Sequence, residues 1–244
     1  MSGHSKWNNI KHKKEKSDAA KAKIFTKIGK EMAVAIKAGG PDPNNNSKLR
    51  DLIAKAKANN VPNDNIQRTI KKFTDNSNIE FEEITYEGYG PSGVAIIVET
   101  STDNRNRTAG NVRAWFSKYG GNLGQNGCVS FMFEEKGVIT IMDEDDEIEE
   151  DKIMEDALEC GADDIKCDEG EYTIYTLPSD LDSVRDAIIS LGYKIETADI
   201  AKVPSTYVTL ESEDDIKNMN LLIEHLEDND AVQDIFHNWE NCED

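Results

Sequence analysis

Residues 86–101 read YEGYGPSGVAIIVETS, and at this stretch the spacing of apolar side chains changes. Upstream they recur every three to four residues; from about residue 80 the period falls to two. The stretch reads as strand, glycine-rich turn, strand. Its GYGPSG portion, Gly88 to Gly93, matches the dinucleotide-binding pattern GxGxxG. That fingerprint needs a helix directly after it, whose N-terminus meets a pyrophosphate. Here VAIIVETS follows and Pro91 interrupts the motif, so the glycines are expected to turn a hairpin.

Working backwards, residues 17–73 predict three amphipathic helices. Ser17 and Asp18 can cap the first, whose apolar face is Ala22, Phe25, Ile28, Met32 and Ile36; Gly39-Gly40-Pro41 ends it. After the polar turn DPNNNS, a second helix carries Leu49, Leu52, Ile53 and Ala56. Past Val61-Pro62, Asn63 can cap a third with Ile66, Ile70 and Phe73. Residues 1–16 precede the first stripe and read as an arm.

Working forwards, NRTAGNVRAWFSKYGG predicts a helix with Val112, Trp115 and Phe116 inward, and CVSFMFE a strand. A βαββαβ series follows, the order of a ferredoxin-like unit. Its strands lie at 138–142, 164–167, 172–177 and 194–201, and its helices run through Ile153–Leu158 and Leu181–Leu191. The tail reads as strand (207–210), helix and strand (232–239), too little to fold alone. Joining it to the unpaired βαβ half at 94–134 makes one αβ-sandwich. The fold class is therefore α+β, an N-terminal three-helix domain (1–79) plus two ferredoxin-like αβ-sandwich domains. One of these, 137–204, is inserted in the other, 80–136 with 205–244.

Charge is as unevenly distributed as periodicity. The 244 residues carry a formal net charge of −20, yet residues 1–72 hold 17 of the 28 lysines and arginines and only 6 of the 48 acidic side chains. The two parts carry +11 and −31. A segregated basic module of this kind fits a polyanion. Lys6, Lys11, Lys13, Lys14 and Lys16 on the arm can meet phosphates and release counterions, and Trp7 among them can stack on an unpaired base or plug the end of the helical bundle. Lys21, Lys23, Lys27 and Lys30 continue the strip along the first helix. Further cations project from the second and third helices, among them Lys48, Arg50, Arg68 and Lys71. Lysines outnumber arginines 15 to 2 in residues 1–72, which favours phosphate contact over bidentate base reading.

Other chemistries find little support. The acidic run from Asp143 has Ile148 and Met154 where a calcium loop needs Gly and Glu, and is expected to be a solvated helix start. The glycines of GGNLGQNG (120–127) read as a helix stop and turn whose amides can also meet phosphate. His4, His12, His225 and His237 form no metal motif, no Ser lies in GxSxG, and the four cysteines show no CxxC. Reduced thiols, no metal, no cofactor and no catalytic residue are expected. The longest aliphatic run, VAIIV, is far short of a membrane span. No apolar segment follows the basic start, so a cytoplasmic protein is expected.

Taken in order, GHSKWNNIKH, KIFTK, DNIQRTIKK, YEGYGPSG, TDNRNRTAGNVR and FSKYGGNLGQNG–VSFMFE resemble the YebC/PmpR family. The resemblance runs nearly end to end and is densest over residues 3–135. It implies three domains, no enzyme activity and a cytoplasmic regulator. Bacterial members are assigned as DNA-binding transcriptional regulators. Mitochondrial relatives, and bacterial ones too, are tied instead to translation on the ribosome, including relief of stalls at proline-rich stretches. Carried over by motif, the functional surface comprises His4, Ser5, Lys6, Trp7, Lys11 and His12, with Arg105 and Arg107 of the TDNRNRT loop, where Asp103 and Thr108 look like turn and cap residues. The expected partner is DNA or ribosomal RNA; ribosomal proteins are a candidate partner for the acidic domains.

Overall fold

Three helices come first in the computed structural model, which describes residues 18–75, 81–143, 148–168 and 170–242. They are α1 (Asp18–Gly39), α2 (Ser47–Ala58) and α3 (Asn63–Asp75). Their stripes close on one core of Ile28, Met32, Ala35, Ile36, Leu49, Leu52, Ala56 and Ile66. Gly40, at φ +84°, breaks α1 where a side chain would be strained. The turn is then locked by Asn46, whose side chain accepts from Leu49 N at 3.1 Å to cap α2 and donates to the carbonyls of Ala35 and Gly40, each at 2.8 Å. The carbonyl of Pro62 accepts from Asn65 N and Ile66 N, so Asn63 lies inside α3 rather than capping it.

The quoted stretch folds as expected. β1 (Glu82–Tyr89) turns through a short 3-10 segment, Pro91–Gly93, into β2 (Ala95–Thr102), and the two pair antiparallel from Glu82↔Thr102 to Tyr89↔Ala95. Then come α4 (Arg105–Lys118), the two-residue β3 (Asn122–Leu123) and, late in the chain, α7 (Glu213–Glu227) and β8 (Val232–His237). The sheet runs β3-β1-β2-β8, all antiparallel. Central β2 is buried at seven of its eight positions, which explains why VAIIV is an uninterrupted apolar run rather than an alternating one.

The segment between supplies β4 (Phe133–Met142), α5 (Glu150–Glu159), β5 (Asp164–Asp168), β6 (Glu171–Thr176), α6 (Leu181–Ser190) and β7 (Ile195–Pro204), in a sheet ordered β5-β6-β4-β7. This is the ferredoxin-like arrangement read from the sequence. Ile139, Ile141, Ile153, Ile165, Ile174, Val184 and Ile188 fill the core between this sheet and its helices. The first sheet has the same spatial order with β1 moved to the start of the chain, so both αβ parts are ferredoxin-like. The described residues divide into two compact units: Phe131–Thr209 with Asn238–Cys242, and the helices through Ser130 with Leu210–His237.

Two strand expectations are corrected. CVSFMFE is not one strand: residues Ser130–Met132 form a 3-10 turn, and β4 begins at Phe133 in the other sheet. The cause is Glu87, whose buried carboxylate takes the amides of Gly127 (2.8 Å), Val129 and Ser130 (both 2.9 Å), donors that a ladder would have needed. Residues 207–210 likewise form only a single bridge, Val208↔Trp239, rather than a strand.

Candidate nucleic-acid interface

His4, Ser5, Lys6, Trp7, Lys11, His12, Lys13, Lys14 and Lys16 lie outside the described residues. Lys21 and Lys23 stand in the first turns of α1. Further along, the helix turns Lys27 and Lys30 inward on the protein. Lys27, half-buried, donates to the Gln233 carbonyl at 3.2 Å, and the Lys30 ammonium donates to the Asp230 carbonyl. Both carbonyls belong to edge strand β8 or the turn leading into it, where acceptors would otherwise face water. These two lysines tie the helical domain to the sheet. Lys48 reaches across similarly to Glu83, 3.1 Å away, an exposed pair of little energetic weight.

Exposed cations stand on α2 and α3, and Lys37 is exposed in the last turn of α1. Arg50 and Lys57 are exposed on α2; Arg68, Lys71 and Lys72 are exposed at helical spacings i, i+3 and i+4 on one face of α3. Lys72 lies 5.3 Å from the Phe73 ring centroid, and Arg68 reaches Asn65 at 3.5 Å.

The TDNRNRT loop has a defined architecture. Asn104, not Asp103 or Thr108, caps α4: its side chain accepts from Arg107 N at 3.0 Å, while its own N–H donates to the Thr102 hydroxyl at 3.0 Å. Thr108 is buried with its hydroxyl 2.9 Å from that of Thr102. Asp103 is an ion-pair partner, 2.6 Å from Arg107; Arg105 pairs with Glu82 at 3.2 Å. Two arginines thus flank the positive end of a helix dipole, where acidic side chains are the favourable choice. Their exposure makes them available to an anion. The amides of Gly127, Val129 and Ser130 are not, because Glu87 already occupies them.

Beside Arg107 opens a cleft of about 600 Å³ that the sequence did not reveal. One wall is the α4 face carrying Arg107, Asn111 and Trp115; the other is the end of α7 and its turn into β8; Lys30 and Phe81 complete it. Burial lowers the affinity of Lys30 for its proton, opposed by the negative Asp230 and Asp103 and reinforced by Arg107. His225 Nδ1 is 2.9 Å from the Leu221 carbonyl, which can only accept, so Nδ1 carries hydrogen and Nε2 accepts from the Tyr119 hydroxyl at 3.1 Å.

Among the described residues no three His, Cys, Asp or Glu side chains are placed to hold a metal ion, and no helix is long and apolar enough to cross a membrane. The four cysteines are free thiols. Burial pushes the Cys128, Cys160 and Cys167 thiols above the ordinary range, away from the low value of a nucleophile.

Residues 5–76 match the family model described as the TACO1/YebC protein N-terminal domain, and residues 81–239 that of the TACO1/YebC second and third domain. A "probable transcriptional regulatory protein" of Agathobacter rectalis is 54% identical over 241 residues, covering 98% of this chain and 100% of that protein. One of the same description from Caldicellulosiruptor bescii is 55% identical over 244 residues and the full length of both. The crystal structure of a conserved hypothetical protein from Aquifex aeolicus superposes with a TM-score of 0.79 at 42% identity, covering 91% of each chain.

Proposed function

The chain belongs to the TACO1/YebC family, and from that premise we propose that it is a non-enzymatic, nucleic-acid-binding regulator of gene expression. The carrying observation is the segregation of charge, a +11 module in residues 1–72 on a chain of −20. Relatives that share more than half its residues over 98% or more of its length are named "probable transcriptional regulatory protein". In this reading the chain works in the cytoplasm as three modules, 1–79, 80–136 with 205–244, and 137–204. The arm and the outward faces of α2 and α3 supply phosphate contacts, with Lys21, Lys23, Arg105 and Arg107 at their margin. Lys27 serves chiefly to hold α1 on β8. The acidic modules orient the basic one and meet basic protein surfaces.

DNA is the first target on this reading. A second, RNA on the ribosome, is favoured by one observation: Lys outnumbers Arg 15 to 2 in the basic module, a poor set for reading base edges in a major groove. Co-sedimentation with ribosomes at near-physiological salt, with duplex DNA in excess, separates the two. Release by DNA supports transcriptional regulation. Retention on ribosomes transfers the function to translation, with promotion of elongation at proline-rich sequences as the activity to assay.

A further inference from the structure

The cleft beside Arg107 combines features that a phosphate-binding face alone would not need. Its volume, about 600 Å³, is within the roughly 300–1,000 Å³ of small-molecule sites. Trp115 lines it half-exposed, held edge-on by His225 with ring centroids 6.3 Å apart and an interplanar angle of 67°. Asn111 and Asn229 bring amide groups that can donate or accept. Lys30 is partly stripped of water there, so an anion would restore some of what burial removed. Arg107 has only one guanidinium nitrogen bonded to Asp103, and the rest of its donor fork remains for a second acceptor.

We propose that this cleft holds one unpaired nucleotide of a single strand, its base against Trp115 and its phosphate against Arg107 and Lys30. The inference rests on the nucleic-acid reading above and adds a ligand unit and an address to it. The charges select the form of the nucleotide. Lys30 and Arg107 stand beside Asp103, Asp228 and Asp230, so the several charges of a triphosphate are repelled far more than the single charge of a phosphodiester held at the two cations. A base paired inside a duplex cannot lie on Trp115, whereas the face of any unpaired base can.

The test is quenching of tryptophan fluorescence by a single-stranded tetranucleotide, by a nucleoside triphosphate and by a blunt-ended duplex, using the full chain. The tetranucleotide should quench saturably, the other two little. The quench should survive Trp7→Phe and disappear in Trp115→Phe. Arg107→Ala should weaken the tetranucleotide about tenfold, the size of one lost charge-assisted contact. If its melting temperature falls, Asn111→Ala is the second variant, and it should weaken binding several-fold. A tetranucleotide that gives no quench, or a quench that follows Trp7 instead of Trp115, overturns the cleft assignment. Replacing Lys11, Lys13, Lys14 and Lys16 with Ala separates the two claims: it should weaken long nucleic acids and leave the Trp115 signal intact. Long strands that bind while the tetranucleotide does not sink only the cleft; failure of both sinks the nucleic-acid reading too.

Discussion

Replacing Glu87 with Gln should unfold the protein more readily, and the structure sets the size of the effect. One carboxylate oxygen accepts from Gly127 N at 2.8 Å; the other accepts from Val129 N and Ser130 N, each at 2.9 Å. Glu87 is only 6% exposed, so water cannot replace a lost partner. A Gln carbonyl can keep the two-bond side, but its NH2 group then faces the Gly127 N–H, donor against donor. One charge-assisted bond, about 1.5–3 kcal/mol, is lost and the other two fall to neutral strength. Relief from burying a charge offsets part of this. The expected net loss is about 2–3 kcal/mol, or about 5–10 °C in the melting temperature of a unit this size.

The pH dependence supplies a second readout. The three amide bonds outweigh burial, the largest single influence, and hold the Glu87 carboxyl below its ordinary value. A group depressed in the folded state adds stability that is fully present above its unfolded value, about 4.3, and is lost as pH falls through the folded one. The gap between wild type and Glu87→Gln, measured by urea titration, should therefore be widest near neutrality and close in acid. A variant within about 0.5 kcal/mol of wild type at pH 7, or a gap that ignores pH, would refute the role given to Glu87.

Other expectations follow from local geometry. In Gly88→Ala the new Cβ would stand 2.6 Å from the Asn122 carbonyl oxygen and 2.8 Å from Phe116, and backbone cannot yield as a side chain can. Gly88→Ala should thus cost about 1–3 kcal/mol in denaturant titration while nucleic-acid affinity of the folded protein stays unchanged; a change in affinity alone would return the GxGxxG motif to ligand binding. The Tyr193 hydroxyl donates to Asp156 at 2.6 Å, and burial together with that carboxylate pushes its pKa up to about 12. Because the neutral form is favoured on folding, this contribution is complete below about pH 10 and is lost as pH rises through the folded value. Asp156→Asn should bring the Tyr193 transition down towards pH 10, followed by ultraviolet titration; an unmoved transition would discard the pairing.

The periodic parts of the chain were legible because their burial is periodic. Ile28, Met32 and Ile36 recur at helical spacing and do face α2 and α3; Ile139 and Ile141, two apart in VITIM, do enter the core of a ferredoxin-like sheet from β4. What was not legible shares a physical cause, a polar group whose partner is distant in sequence. Glu87 sits in a strand where alternation makes it look like one more surface carboxylate, yet it reorganises residues 127–130 some forty positions on. Lys27 and Lys30 continue a lysine strip, and nothing local in the sequence shows that their ammonium groups also reach backbone carbonyls. Their acceptors, Gln233 and Asp230, lie 206 and 200 residues away. The cleft was hidden for the same reason, since its walls come from α1, α4 and α7. Arg105 and Arg107 were reached only through the family motif; their caps and ion pairs needed coordinates.

Binding of a nucleic-acid backbone by the basic N-terminal module is read out by the salt dependence of affinity. Affinity of the full chain for long DNA or RNA should fall linearly on a log–log plot against salt. With Lys11, Lys13, Lys14 and Lys16 replaced by Ala, the slope should flatten by about 0.9 per lost contact on duplex DNA or about 0.7 on a single strand, about 3.6 or about 2.8 in all. A slope that the four substitutions leave unchanged would show that the basic arm makes no phosphate contacts.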